Sequence, residues 1–509
     1  KSSQHLTFIA DGLRKRKLLD WTVYLAVPPE LEILGSTGYY GNVDYQPSFP
    51  LTHLGEQAVG GRKMQVARIV ANKPVMTGRH YIMSLFNAFV RTRNGLDEAE
   101  GKETSFVYWT EANDRTVVEP RQTIPVRLLP PLAGKQPKKL VWQLWGSSFG
   151  TMNNHAMREA TLLTAQRAGL NDIVAGDLWT SENAPRYGIR HTMGFNFQAW
   201  SLNMKPYLTE HADERLIGPD GQPNDGYLCT TLLLGESWGA VEAKLQEKIE
   251  AKRPHTMDYD YEYPPMTGPH SCYCPHCLAE FRDHAKMNPD ANLDPETIRD
   301  RYEEEWVDFM ARRVAEIFRR FRDAIHRLAP GTKFSVYSGY QTPENPKRYG
   351  VNWDYVGELQ ACDHAGCGYG RPTDAIPATI GGLKGIPALF GAILVPYDTK
   401  ETAPPVPLTK ARLLRRALDS TGGVLIYSRL SMDGRSWYAV AETTRFVAAY
   451  EDLFLHGKRT PLSGNDEARV QVLGDGKTTL VCAMNGGSDR LSLSLSLPAE
   501  AGGGREFYS

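Results

Sequence analysis

The sequence predicts an α/β protein: a (β/α)8 TIM barrel held between an N-terminal β-sandwich and a small C-terminal antiparallel β-domain. Three observations predict it. Residues 1–136 contain short apolar-aromatic runs broken by Gly, Pro and Asn, without helical periodicity. Residues 137–458 alternate strand-like and helix-like segments repeatedly. Residues 459–509 return to short apolar or alternating runs.

In the first region, residues 21–27, 80–85 and 105–109 read as strands. A Pro-rich stretch, Pro130-Pro131 through Pro137, then punctuates the chain as a linker. Barrel strands are expected at 140–145, 173–175, 191–195, 257–263, 334–337, 359–364, 388–395 and 423–427. The clearest helix runs from Asp294, a capping residue followed by Pro295 and Glu296, to the breaker Pro330-Gly331. Its stripe of Tyr302, Trp306, Met310, Val314, Ile317, Phe321, Ile325 and Leu328 marks a face packed on the sheet. A doubly wound open sheet is the alternative, but no Gly-rich phosphate loop follows the first strand. In the C-terminal region, residues 469–473, 479–482 and 491–495 read as strands.

Composition narrows the partners. Lys+Arg number 58 against 59 Asp+Glu, which leaves no basic field for nucleic acid or anionic membrane. No apolar run is long enough to span a bilayer. Seven cysteines are too few for a disulfide scaffold. The start, Lys1-Ser2-Ser3-Gln4, lacks the charged-apolar-small pattern of a leader, so a processed or truncated product is expected. Localisation stays open: secreted or periplasmic if a leader was removed, otherwise cytoplasmic. A homo-oligomer is compatible with the sequence.

Two clusters carry chemistry. Cys272, Cys274 and Cys277 form C-x-C-x-x-C, and Cys229 lies upstream. Four thiolates at such spacing suit one tetrahedral Zn²⁺ in a closed, structural site. Just before them, Asp258-Tyr259-Asp260-Tyr261-Glu262 alternates acid and tyrosine. On a strand, residues two apart share a face, so the three carboxyls are expected to point into the barrel mouth. Such crowding raises one pKa, as a general acid requires, and Glu262 at the strand end is the candidate, with Asp260 tuning it. The load of 10 Trp and 24 Tyr supplies flat rings that suit sugar faces. Trp145, Trp179 and Tyr337 are the candidate substrate-binding rings, with Trp200 and Trp353 also near strand ends. Asp258 and His364 are the polar candidates. His191 and His364 can bond hydroxyls, although a structural histidine is the commoner role.

The run from Asp260 through Cys272-Tyr273-Cys274-Pro275-His276-Cys277 to Arg282 resembles the glycoside hydrolase family 42 β-galactosidases. The resemblance implies a barrel with Glu262 as general acid/base and a structural zinc on Cys229, Cys272, Cys274 and Cys277. Two departures stand out: Tyr261 replaces the family's Asn, and residues 388–397 hold no Glu where the family keeps its nucleophile. Asp258-x-Asp260-x-Glu262 is also similar to the strand-four ending of family 18 chitinases, where the substrate's acetamido group replaces the nucleophile. With strand seven lacking a carboxylate, Asp363 at the predicted end of strand six is the expected partner. Glu182, Glu236, Asp398 and Asp433 fall in loops or helix starts, where capping is the commoner role. Cys362 and Cys367 are either a disulfide or buried thiols.

The expected activity is hydrolysis of a glycosidic bond in an oligo- or polysaccharide. The alternatives are a substrate-assisted N-acetylhexosaminidase-type hydrolase and a sugar-binding barrel without catalysis.

Overall fold

The computed structural model describes residues 3–8, 17–38, 49–76, 86–93, 103–145, 154–195, 202, 204–261, 272–288, 292–368, 375–393, 405–427, 432–464 and 468–485. Its centre is a closed barrel of eight strands: Val141–Trp145, Asp172–Val174, Arg190–Phe195, Thr256–Asp260, Lys333–Ser338, His364–Cys367, Ala388–Ile393 and Gly423–Tyr427. Every neighbouring pair is parallel, and strand eight returns to strand one with Val141 opposite Gly423. The closure needs glycine there. Gly423 has φ +140°, and a Cβ would lie 1.9 Å from the Val141 carbonyl oxygen.

Seven of the eight expected strands fall where the sequence placed them, within a residue or two at most described ends. Strand six is the exception. The expected 359–364 segment is the end of the Trp353–Glu358 helix and a turn, with Gln360 at φ +47°, and the strand begins only at His364. Its sequence, His-Ala-Gly-Cys, has little strand propensity of its own. Tertiary packing selects it: the Tyr337 ring lies 3.1 Å from where a Cβ on Gly366 would stand.

The long helix is two. Asp294 caps Pro295–Arg301 by accepting the Thr297 N–H at 2.7 Å, and the chain breaks at Tyr302 before Glu303–Leu328. The apolar stripe then splits. Val314, Ile317, Phe318, Phe321 and Ile325 pack on the barrel, whereas Trp306, Phe309 and Met310 pack around the cysteines.

Ahead of the barrel, two antiparallel sheets face each other. One orders Val117–Arg127, Glu103–Ala112, Thr22–Val27, Arg62–Val70 and Leu51–Val59; the other orders Ser3–Phe8, Phe86–Thr92 and Leu31–Gly38. Val23, Leu25, Val27, Ile69 and Phe106 of the first share a core with Leu31, Ile33, Ala88 and Val90 of the second, which makes a sandwich. Phe89 packs with Met157 of the first barrel helix, His155–Arg167, and Asn154 Nδ2 donates to the Leu34 carbonyl at 3.0 Å. The expected strand at 80–85 lies outside the described residues. After the barrel comes an antiparallel sheet of Lys458–Gly464, Ala468–Gly474 and Thr479–Asn485, with Leu473, Cys482 and Met484 joining the barrel-side core. The expected strand at 491–495 also lies outside the described residues. No helix among the described residues is long and apolar enough to cross a membrane.

Candidate active site

Strand four, Thr256–Asp260, sets the site. Met257 and Tyr259 point outward and are buried on the helix layer, with Tyr259 in ring contact with Phe318 and Phe321. Alternation then turns Asp258 and Asp260 inward. Asp258 is only 4% exposed and accepts a hydrogen bond from the Ser335 hydroxyl. Burial pushes its carboxyl up to about 7; the Ser335 bond opposes this, and the like charge of Asp172 adds to it. Asp260 sits one layer higher, half-buried, with Tyr337 opposite it in register. Pairing continues past the strand, since Tyr261 N donates to the Tyr337 carbonyl at 2.9 Å. Glu262, the expected general acid, lies outside the described residues.

Tyr261, which stands where an Asn was implied by resemblance, points away from the mouth. It is 3% exposed, stacks on Tyr259 at 5.5 Å and meets Phe318 edge-on at 5.4 Å. A large ring at this position is explained by helix packing.

Trp145 and Tyr337 come together inside the barrel, stacked at 5.6 Å between centroids and 26° between planes. Leu389, Leu425 and Tyr427 complete this wall. Trp145 stays half-exposed while Tyr337 is buried, so Trp145 is the ring that offers a face. Trp179 lies on the second βα connection, where the Arg158 guanidinium covers its ring at 5.2 Å and His155 stands at 5.4 Å. Trp353 is fully buried and donates its Nε1–H to the Gly339 carbonyl, a core role. Trp200 lies outside the described residues.

Asp363 and His364 stand at the other end of the barrel. Because strand six starts at His364, both occupy its N-terminal end, so the expected position of Asp363 opposite Glu262 is corrected. The Asp363 carboxylate accepts from His326 Nε2 at 2.8 Å, the Phe334 N–H at 2.8 Å and Arg322 Nε at 3.2 Å. Burial works to raise its pKa, but these partners outweigh it and hold the carboxyl below its ordinary value. His364 is pushed down to about 3, first by burial and then by Lys333 and Arg190. The remaining candidates are structural: His191 Nε2 bonds the Ala175 carbonyl at 2.6 Å, Asp433 caps Gly434–Ala449, and Glu182 is 4.0 Å from Arg253. Glu236 is exposed, and Asp398 lies outside the described residues. Cys362 and Cys367 are buried free thiols, not a disulfide.

The four expected cysteines converge. The Sγ atoms of Cys229, Cys272, Cys274 and Cys277 all lie within 4.8 Å of one another, buried, with Cys229 3.3 Å from Cys274 and 3.5 Å from Cys277. Four sulfurs about 2.3 Å from one tetrahedral ion would be about 3.8 Å apart, so the set fits a metal. Backbone N–H groups of Ile217 and Cys277 point at Cys272 and Cys274 at 3.5 and 3.4 Å, which suits thiolates. Cys277 is held well below the usual thiol range, chiefly by hydrogen bonding from Cys229. The centre is tied to strand four through one helix: Tyr273 stacks on Trp306 at 5.1 Å and 6°, and about three turns further on Phe318 carries Tyr259 and Tyr261.

One group escaped the sequence reading. Gln143, Asp172 and Thr192 form a buried network on strands one to three. Gln143 is a lone polar residue inside an apolar strand, which was an available signal, whereas Asp172 and Thr192 have polar neighbours in sequence that conceal them.

The fold and the cysteine set together define a (β/α)8-barrel protein with a buried four-thiol centre beside strand four. No family model and no curated protein matches the chain. Among solved structures it is similar to a β-galactosidase from Bacillus circulans sp. alkalophilus, at 12% identity and TM-score 0.44 over 64% of this chain and 58% of that one. It is also similar to an α-galactosidase from Lactobacillus brevis, at 11% identity and TM-score 0.41 over 91% and 64%. A third is a catalytic mutant of the GH42 β-galactosidase Gan42B from G. stearothermophilus, at 12% identity and TM-score 0.43 over 64% and 59%. The chain thus spans less than two thirds of the length of each of these proteins.

Proposed function

We propose that the protein is a glycoside hydrolase acting on an oligo- or polysaccharide at the C-terminal mouth of the barrel. The observation that carries this reading is the inner face of strand four, where Asp258 and Asp260 point inward two residues apart and Glu262 follows in the same alternation. Glu262 is the proton donor to the leaving oxygen, and Asp260 orients it and tunes its pKa. Trp145, backed by Tyr337, supplies the stacking surface. Asp258 lies a layer below and does not touch substrate. Zn²⁺ on the four cysteines is structural: it fixes the segment after strand four and leaves no open position for chemistry.

The site of Asp363 favours a second reading within this class. With that carboxylate engaged at the far end of the barrel, Asp260 is the inward carboxylate of strand four that stands nearest the mouth among the described residues. A substrate that brings its own acetamido nucleophile needs only such a pair, so N-acetylhexosaminides belong in the substrate panel. The experiment is turnover of aryl glycosides, with and without a 2-acetamido group, by wild type and Glu262→Gln. Cleavage lost in the variant supports the assignment. Sugar binding without cleavage by wild type overturns it in favour of a non-catalytic barrel.

A further inference from the structure

Below the mouth, strands one to five carry a polar layer in the barrel interior: Gln143, Asp172, Thr192, Asp258 and Ser335, all buried. Barrel interiors are ordinarily filled by branched apolar side chains, so two carboxyls here need an account. They are served unequally. Asp172 accepts from Thr192 Oγ1 at 2.7 Å and Gln143 Nε2 at 3.0 Å, and the Arg190 guanidinium stands 3.7 Å from its second oxygen. Asp258 has the Ser335 hydroxyl on Oδ1, while Oδ2 is buried and has no hydrogen-bond partner among the described residues. No ion pair to Asp258 is present among the described residues either.

An ionised carboxylate with one donor and no counter-charge is costly in such a place, and a neutral carboxylic acid costs far less. The like charge of Asp172 on strand two raises that cost; burial pushes the Asp172 carboxyl up as well, but Arg190, Gln143 and Thr192 oppose this, so it is the better partnered of the two. We infer that Asp172 and Asp258 form a one-proton site inside the barrel, with the charge on Asp172 and the proton on Asp258. The other titratable or charged groups around the pair are Asp260 above on the same strand, Arg190 and Lys333 at the starts of strands three and five, His364 on strand six and the Cys362 thiol. This site is separate from the mouth and holds whether or not the barrel cleaves sugars.

The folded-state pKa of Asp258 is raised, so its contribution is fully present below the unfolded carboxyl value of about 4 and is lost as pH rises through about 7. His364 titrates in the opposite sense, so the comparison must be between variants and not between pH values alone. The experiment is the unfolding midpoint of the full chain from about pH 5 to about pH 9, for wild type and Asp258→Asn, whose amide imitates the protonated acid. The expected result is a gap that widens with pH in the variant's favour, its unfolding equilibrium constant falling about tenfold or more relative to wild type between the acid and alkaline ends. Parallel curves overturn the proposal. Should Asp258→Asn not fold, Asp172→Asn is expected to shift the wild-type loss to lower pH. In that case the wild type must also show an infrared band of a buried protonated carboxyl near pH 6 that fades by about pH 9; its absence overturns the site. Repeating the alkaline measurements in sodium, potassium and choline chloride decides the occupant, and stability that depends on the metal cation overturns the proton.

Discussion

The carboxylate of Glu451 accepts the backbone N–H of Leu140 at 2.7 Å, where the first barrel strand begins. The same group accepts from Lys139 at 2.7 Å and Lys138 at 3.0 Å. A side chain from the last helix of the barrel region, Glu451–His456, therefore holds the first strand's entry, across more than three hundred residues of sequence. Three bonds to one buried carboxylate leave three orphaned N–H groups when it is removed.

Glu451→Ala is accordingly expected to lower stability by about 3 kcal/mol, from charge-assisted bonds lost and buried donors left unpaired. Glu451→Gln should lose less, since its amide oxygen still accepts. Denaturant midpoints of the two variants check this, and an alanine variant within about 0.5 kcal/mol of wild type would contradict it.

Asp363 should behave as an anchor at the barrel floor. Its bonds join the Glu303–Leu328 helix, through His326 and Arg322, to strand five at Phe334. Asp363→Asn is expected to cost about 1–3 kcal/mol while leaving turnover per folded molecule unchanged. Because the folded carboxyl titrates below its ordinary value, its contribution is present above the unfolded pKa of about 4 and disappears as pH falls through the folded one. The gap between wild type and variant should therefore close in acid. A specific loss of turnover with unchanged stability would restore Asp363 to the chemistry.

The cysteine centre should hold one Zn²⁺ per chain. Stripping it with a chelator, or replacing Cys277 by Ser, is expected to lower the melting temperature by several degrees and to quench or shift the Trp306 signal, since Tyr273 stacks on that ring. Activity should fall only in step with the loss of folded protein. Elemental analysis that finds no metal, with unchanged melting, would refute the assignment.

The barrel was legible because outward positions such as Met257, Tyr259 and Phe334 are apolar, and the strand–helix alternation follows from them. The cysteine set was legible because spacing alone brings Cys272, Cys274 and Cys277 to one point. Strand six was not legible. Its four residues, three of them small, take strand geometry from the neighbours, while the more apolar segment before it closes a helix, and that displacement moved Asp363 from one end of the barrel to the other. The tyrosines of strand four were ambiguous for a related reason: alternation places them on one face, but only the Phe318 contacts say that this face is the outer one.

The last prediction separates the two candidate carboxyls, Glu262 and Asp260. Glu262 as proton donor matters most where the leaving group is poor, so Glu262→Gln should cost about 10²–10⁴-fold on a natural oligosaccharide and less on an aryl glycoside with an acidic phenol. Asp260 acts earlier in the bond-forming half of the reaction if the substrate supplies an acetamido nucleophile. Asp260→Asn should then slow aryl N-acetylhexosaminides even with an acidic phenol, and the loss should not shrink as the leaving group improves. Should Asp260 only tune Glu262, its variant will instead follow the leaving-group dependence of Glu262→Gln and shift the alkaline limb of the kcat/KM profile. Measuring kcat/KM against phenol acidity for both variants distinguishes these outcomes. Full activity of both would remove strand four from the chemistry.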